Sequence, residues 1–315
     1  MTVIHFTQRK KLNIERFSQY LTEAQTSNQF TNYGYAVKTL EQRARKNLQI
    51  PDSKAIIATC NGAAALNAIM AAIHTSEPVY SQDFTFPCNF QIPGVYTEPF
   101  DLDDAGNPDI YHIRTPGILI ITNCFGHVVD IDKILKHAEL YNQKVVFDNA
   151  ASPYSFYKGK NISAYGIASY ISLHHTKPLG FGEGGLVIID KSYETSVRAA
   201  INFGMHEGRP VIEGNNYKMS ELSAAGILQW WDSFDIDELR DNYLKAYNKY
   251  ENKVKIAIPN YSDSFFPNCL PVIENNVRNE IMDIRKYYRP IIGLRNSIYL
   301  YERISCLPIT EFTHV

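Results

Sequence analysis

The chain is poor in every feature that marks a secreted, membrane-bound or nucleic-acid-binding protein. Five cysteines in 315 residues (Cys60, Cys88, Cys124, Cys269 and Cys306) are scattered, odd in number and never spaced C-x-x-C. That speaks against a disulfide framework and against a zinc or other metal site, and for reduced thiols in a cytoplasm. No apolar run reaches membrane-spanning length. The opening "MTVIHFTQRKKLNIERF" has no apolar stretch behind its basic residues, unlike a secretory signal. Net charge is only −2, so no broad field draws the chain to nucleic acid or an anionic membrane. Internal repeats, low-complexity tracts and flexible linkers are lacking too.

What is present is a soluble-type composition, 45% hydrophobic and 20% charged, with length for a large domain and a smaller one. Residues 1–50 read as a polar, partly helical arm. From residue 54 short apolar runs alternate with helical patterns. The runs are "KAIIATC", "EPVYSQ", "GVYTEPFDL", "GILIITNC", "KVVFDN", "IASYISL" and "GGLVIID". Helices are expected at "NGAAALNAIMAAIHT", "IDKILKHAELYN" and "YETSVRAAINF", and as one stretch over residues 220–254. This alternation predicts an α/β domain over 51–230 with a mostly parallel, mixed and buried sheet. Residues 231–315 read as a small C-terminal α+β domain.

Residues 172–185, "SLHHTKPLGFGEGG", pose the central question. Their tail spells G-x-G-x-x-G, but the dinucleotide fingerprint needs a strand before the glycines and a helix after them. Here a strand, "LVIID", follows, so the glycines read as a tight, closely packed turn. A phosphate fits better at "KAIIATC-NGAAALNAI", where the amides of Gly62, Ala63 and Ala64 start a helix. An ordinary turn capped by Asn61 accounts for those letters equally.

Lys177 lies just past the end of an apolar strand, where open α/β sheets place ligands, with Ser172 and Thr176 nearby. A solvated turn lysine is the alternative. Asp148 ends another apolar strand, a costly place for an unpaired carboxylate, although a turn or cap role also fits. Pyridoxal 5′-phosphate satisfies all these features: a lysine for the aldehyde, a carboxylate for the pyridine nitrogen, and helix amides for the phosphate.

These residues resemble the DegT/DnrJ/EryC1/StrS family, sugar aminotransferases of PLP fold type I. The family's S-F-H-A-T-K and G-E-G-G are matched by Ser172 to Lys177 and Gly182 to Gly185. "QFTNYGYAVKTLE", "NGAAAL", "FTFPCN", "FGHVVDIDKI" and "GNNYKMSELSAA" resemble five further motifs in family order. The resemblance implies that Lys177 forms the Schiff base and shuttles the proton, and that Asp148 pairs with the pyridine nitrogen. Phe86 would stack on the ring, and Gly62, Ala63 and Ser172 would hold the phosphate. Asn216 would reach the cofactor phosphate of a partner subunit, implying a homodimer with shared active sites.

Departures are Ala63 for the usual threonine, Ala151 where many members have glutamine or histidine, Lys218 for arginine, and a short C-terminal domain. The implied reaction moves an amino group from an amino acid, glutamate, to a nucleotide-linked keto-sugar. The H-x-T-K and G-E-G-G form leans to C4 of the sugar over C3. A catalytically inactive or regulatory PLP-binding member is the rival reading. A sugar dehydratase is the weaker one, since those members place histidine where Lys177 stands.

Overall fold

A computed structural model describes residues 4–73, 76–251, 254–273 and 282–309. Two helices open the chain, α1 (Ile14–Ser27) and α2 (Tyr35–Asn47), followed by β1 (Lys54–Thr59) and α3 (Gly62–Ile73). Next come β2 (Val79–Gln82), β3 (Thr97–Phe100), β4 (Gly117–Thr122), α4 (Ile131–Leu140) and β5 (Gln143–Asp148). A hairpin of β6 (Phe156–Tyr157) and β7 (Lys160–Asn161) precedes β8 (Ala168–Ser172), β9 (Gly185–Asp190) and α5 (Glu194–Ala200). A short pair, β10 (Met205–His206) and β11 (Arg209–Pro210), leads to α6 (Glu221–Trp231) and α7 (Ile236–Glu251). The last elements are β12 (Leu270–Ile273), α8 (Arg295–Arg303) and β13 (Ile304–Leu307).

All seven apolar runs become strands of the sheet, with neighbours in the orders β1-β9-β8 and β5-β4-β2-β3. β1 and β4 are buried along their whole length, which is why they read as continuous apolar runs without alternation. β2 pairs in parallel with β3 and β4, and β4 with β5, while β9 runs antiparallel to β1 and β8. The sheet is therefore mixed, with its antiparallel member at β9.

The chain divides into two compact units, each assembled from separate segments. One unit comprises Arg9–Thr75 and Ser163–Ile236. In it α3 packs against β8 and β9, and α1 and α2 pack against α6. The expected single helix over 220–254 is broken after Trp231, and α6 ends there. Just past the break, the Asp232 carboxylate accepts the Tyr20 hydroxyl at 2.8 Å and pairs with Arg43, which fixes it to α1 and α2.

The other unit comprises Met1–Gln8, Ser76–Ile162 and Asp237–Val315. Phe6, Phe84, Phe125, Ile258, Leu300 and Ile304 share its core, and β12 pairs antiparallel with β13. Two carboxylates bind the C-terminal segment. Asp83 accepts the amides of Ile291, Ile292 and Gly293 at 2.8 Å and of Leu294 at 2.7 Å. Asp101 accepts the amides of Asn296 and Ser297 at 2.8 Å and the Ser297 hydroxyl at 2.7 Å. Burial alone would raise the Asp101 carboxyl, but these donors outweigh it and hold it below the usual range. Both carboxylates sit at the start of α8, the end that favours negative charge.

Candidate active site

In the unit that holds β1, β8 and β9, sheet register settles the glycine question. Thr59 of β1, Gly185 of β9 and Ser172 of β8 lie in one row across the three strands. A Cβ on Gly185 would stand 2.4 Å from the Asn61 carbonyl oxygen. Only glycine lets the Asn61-Gly62 turn close over the strand beneath it. Gly180 is similar, since a Cβ there would meet the His174 carbonyl oxygen at 2.0 Å. These glycines serve close backbone approach, as the strand behind them implied.

The turn they allow forms a small cradle. Asn61 caps α3, its Oδ1 accepting the Ala64 amide at 2.8 Å. Among the described residues no acceptor pairs with the amides of Gly62 or Ala63. A Cβ on Gly62 would lie 3.2 Å from Ser172 Cβ, so the hydroxyl of Ser172 stands beside the open helix end. Two free amides, a helix dipole and one hydroxyl fit a phosphate dianion. The capped-turn reading and the anion reading hold together: Asn61 satisfies one amide and leaves two.

Five residues beyond Ser172, Lys177 is half-buried on a turn whose backbone is tightly bonded. Its amide donates to the His174 carbonyl at 2.8 Å, and its carbonyl accepts the Gly180 amide at 3.0 Å. His174 Nδ1 lies 2.9 Å from the Thr176 hydroxyl, so that histidine shapes the turn. Side chains hold the remaining carbonyls. Trp230 Nε1 donates to Pro178 at 3.0 Å, and Trp231 Nε1 to Leu179 at 2.7 Å. Lys10 donates to the carbonyls of His175 at 2.8 Å, Lys177 at 2.6 Å and also Gly180.

Asn216 is exposed and bridges to Asn202, while the neighbouring Tyr217 carbonyl accepts the Cys60 amide at 2.8 Å. The register thus brings Gly62, Ala63 and Ser172 together, with the Asn216 segment bound beside their turn. Lys218 donates to the Asn202 carboxamide oxygen at 2.8 Å and lies over the Phe203 ring.

In the other unit Asp148 ends β5, buried. Its Oδ1 accepts the Ala150 amide at 3.0 Å and its Oδ2 the Thr122 hydroxyl at 3.2 Å. Behind it runs a buried polar chain that the sequence did not single out. Thr122 Oγ1 lies 2.6 Å from Thr85 Oγ1, and the Asn89 amide donates to Thr85 at 2.9 Å. Thr122 was hidden at the end of an apolar run, and Thr85 and Asn89 stand inside "FTFPCN", where only Phe86 was given a role. Phe86 precedes the short 3-10 turn Pro87–Phe90 and is 57% exposed, its ring free to meet a flat partner. Ala151 is buried. Lys10 was hidden differently, as one member of the basic run "QRKK" with no motif around it.

Within one unit, the cradle and a lysine on a bonded turn suit the phosphate and aldehyde of pyridoxal phosphate; within the other, a buried strand-end carboxylate suits a ring nitrogen. No helix among the described residues is long and apolar enough to cross a membrane.

Comparison with known proteins agrees. The chain is 26% identical to dTDP-4-amino-4,6-dideoxy-D-glucose transaminase of Shigella dysenteriae, over 97% of this chain and 94% of that protein. It is 25% identical to GDP-perosamine synthase of Escherichia coli O157:H7, over 63% of this chain and 58% of that one. In fold it resembles 3-amino-5-hydroxybenzoic acid synthase, with TM-score 0.83, 16% identity, and 100% and 95% of the two chains covered. Helicobacter pylori PseC, an aminotransferase involved in the biosynthesis of pseudoaminic acid, superposes with TM-score 0.80, 15% identity, and 99% and 98% covered. Residues 12–254 match the model of the DegT/DnrJ/EryC1/StrS aminotransferase family, and the chain belongs to that family of pyridoxal phosphate-dependent enzymes.

Proposed function

We propose that the chain transfers an amino group from glutamate to the keto carbon of a nucleotide-linked deoxysugar, at C4, as a homodimer. The observation that carries the reaction class is the cradle of Gly62, Ala63 and Ser172 with Lys177 following on the same strand end. The substrate class rests on similarity to the Shigella transaminase along nearly its full length. The H-T-K and G-E-G-G letters favour C4.

Pyridoxal phosphate, when bound, supplies an aldehyde that carries the amine and a ring that withdraws electrons from the adjoining carbon. The Gly62 and Ala63 amides and the Ser172 hydroxyl bind its phosphate. Asp148 keeps the proton on the pyridine nitrogen, its buried carboxylate steadied by Thr122 and the Ala150 amide. Phe86 covers one face of the ring. The Lys177 amine would hold the aldehyde between turnovers and would carry the proton at the substrate carbon. Asn216 binds the phosphate of the partner subunit, which makes the dimer the active form.

Borohydride reduction of the purified enzyme followed by peptide mapping tests the assignment. Label on Lys177 supports it, and label on another lysine refutes it. Incubation with glutamate and nucleotide-linked 4-keto and 3-keto deoxysugars, read by product mass, tests the substrate. Product from neither sugar would refute that part.

A further inference from the structure

We infer that Lys10 is a positioning residue for Lys177, its ammonium fixing the turn from which the Lys177 side chain projects. This rests on the reading of Lys177 as the lysine that holds the cofactor.

An ammonium has three N–H donors, and all three are matched. Lys10 Nζ bonds the His175 carbonyl at 2.8 Å, the Lys177 carbonyl at 2.6 Å and the Gly180 carbonyl. Those acceptors lie on both sides of Lys177, so one cation cross-links the turn's start, middle and end. Among the described residues no carboxylate pairs with Lys10, so backbone oxygens and an aromatic face replace an ion pair. The Trp230 ring lies 5.3 Å from the ammonium, within cation–π range.

The indoles of Trp230 and Trp231 bond the Pro178 and Leu179 carbonyls. Every carbonyl from Lys177 to Gly180 therefore accepts a side-chain donor. The arm is itself anchored, because the Asn13 amide donates to Gln229 Oε1 at 2.9 Å on the helix that carries both tryptophans.

Such an arrangement is costly unless rigidity at the turn is required. Burial pushes the Lys10 amine down to about 7, and the three carbonyls oppose that penalty by favouring the charged form. The titratable group on the turn that feels its charge is His175. Burial, then Lys10, then His174 lower His175. A lysine that must return to one position in every cycle gains from a backbone that does not drift.

The test compares the wild-type enzyme with Lys10→Met and Lys10→Arg. Borohydride mapping of wild type comes first, so failure of the Lys177 reading is seen separately. Hydrogen exchange is then followed for the peptide spanning residues 173–181, with and without pyridoxal phosphate. The pH midpoint of the visible band of the bound cofactor is titrated in parallel.

Lys10→Met is expected to speed exchange in that peptide about tenfold, with the rest of the chain unchanged. It is also expected to move the midpoint by about half a unit or more. Lys10→Arg, which keeps charge and donors, should restore both towards wild type. Unchanged exchange and midpoint in Lys10→Met would overturn the inference. So would faster exchange throughout the chain, or a loosened turn with an unmoved midpoint, because either leaves only a structural tie. Should Lys10→Met fail to fold, Lys10→Gln with the same two readouts replaces it.

Discussion

The hydroxyl of Thr122 donates to Asp148 Oδ2 over 3.2 Å, and both atoms are buried at the ends of neighbouring parallel strands. The same oxygen of Thr122 lies against Thr85 and Asn89, so the carboxylate has a fixed orientation. Thr122→Val is expected to lower turnover about tenfold while Thr122→Ser stays near wild type. Steady-state kinetics with each variant check this, and equal rates in all three would remove Thr122 from the site.

Asp148→Asn should keep the fold and suppress amine transfer about a hundredfold or more, because the ring nitrogen loses its charge partner. Circular dichroism checks the fold and a half reaction with glutamate checks the chemistry. Undiminished transfer would end the proposed role.

The cradle makes a separate prediction about affinity. Ser172→Ala removes one hydroxyl and should weaken cofactor binding about tenfold. Gly62→Val, whose Cβ would lie 3.2 Å from Ser172 Cβ, should weaken it further by filling the cradle. Equilibrium dialysis with pyridoxal phosphate reads both, and unaltered affinity in Gly62→Val would place the phosphate elsewhere.

The proposed sharing of sites between two subunits is open to a complementation assay. Lys177→Ala and Asn216→Ala subunits are each expected to be impaired alone. In a mixed dimer one of the two sites keeps both residues. Random mixing should therefore restore about a quarter of wild-type activity. A mixture no more active than its parts, or an active monomer in sedimentation, would refute the shared site.

His127 gives a pH dependence. Its Nδ1 donates to the Ile258 carbonyl at 3.1 Å and its Nε2 accepts the Tyr247 hydroxyl at 2.9 Å, so the ring is held neutral. Burial pushes it down from 6.5 to about 4, against the carbonyls of Ile258 and Pro259. Between those values the unfolded chain binds a proton that the folded chain refuses, so stability falls as pH falls. About 2 kcal/mol should be lost between pH 6.5 and 5. Urea unfolding across that window should show the slope in wild type and a flatter one in His127→Gln. Equal slopes would exclude the histidine.

Much of this was legible in the sequence because the strands are buried on both faces, and β-branched runs such as "GILIIT" announce that directly. The glycine turn was legible for the same reason, since a strand follows Gly185. Sequence position alone does not carry which distant atoms meet. Nothing in "QRKK" says that Lys10 reaches three carbonyls some 165 residues on. The break after Trp231 depends on Asp232 finding Tyr20 and Arg43, partners set by packing and not by helix propensity. Strand order, with β9 between β1 and β8, is likewise a property of the assembled sheet.

The four amides gathered by Asp83 have a consequence for synthesis. Asp83 is translated 208 residues before Ile291, the first of its four partners Ile291 to Leu294. Until they leave the ribosome, a carboxylate destined for burial has only water to bond, and the Phe84 and Phe125 cluster lacks Leu300 and Ile304. The segments Arg9–Thr75 and Ser163–Ile236 are complete before that point. Folding on the ribosome is thus ordered by the chain itself: the segments of one unit are completed first, and the other unit waits for Ile291 to Leu294.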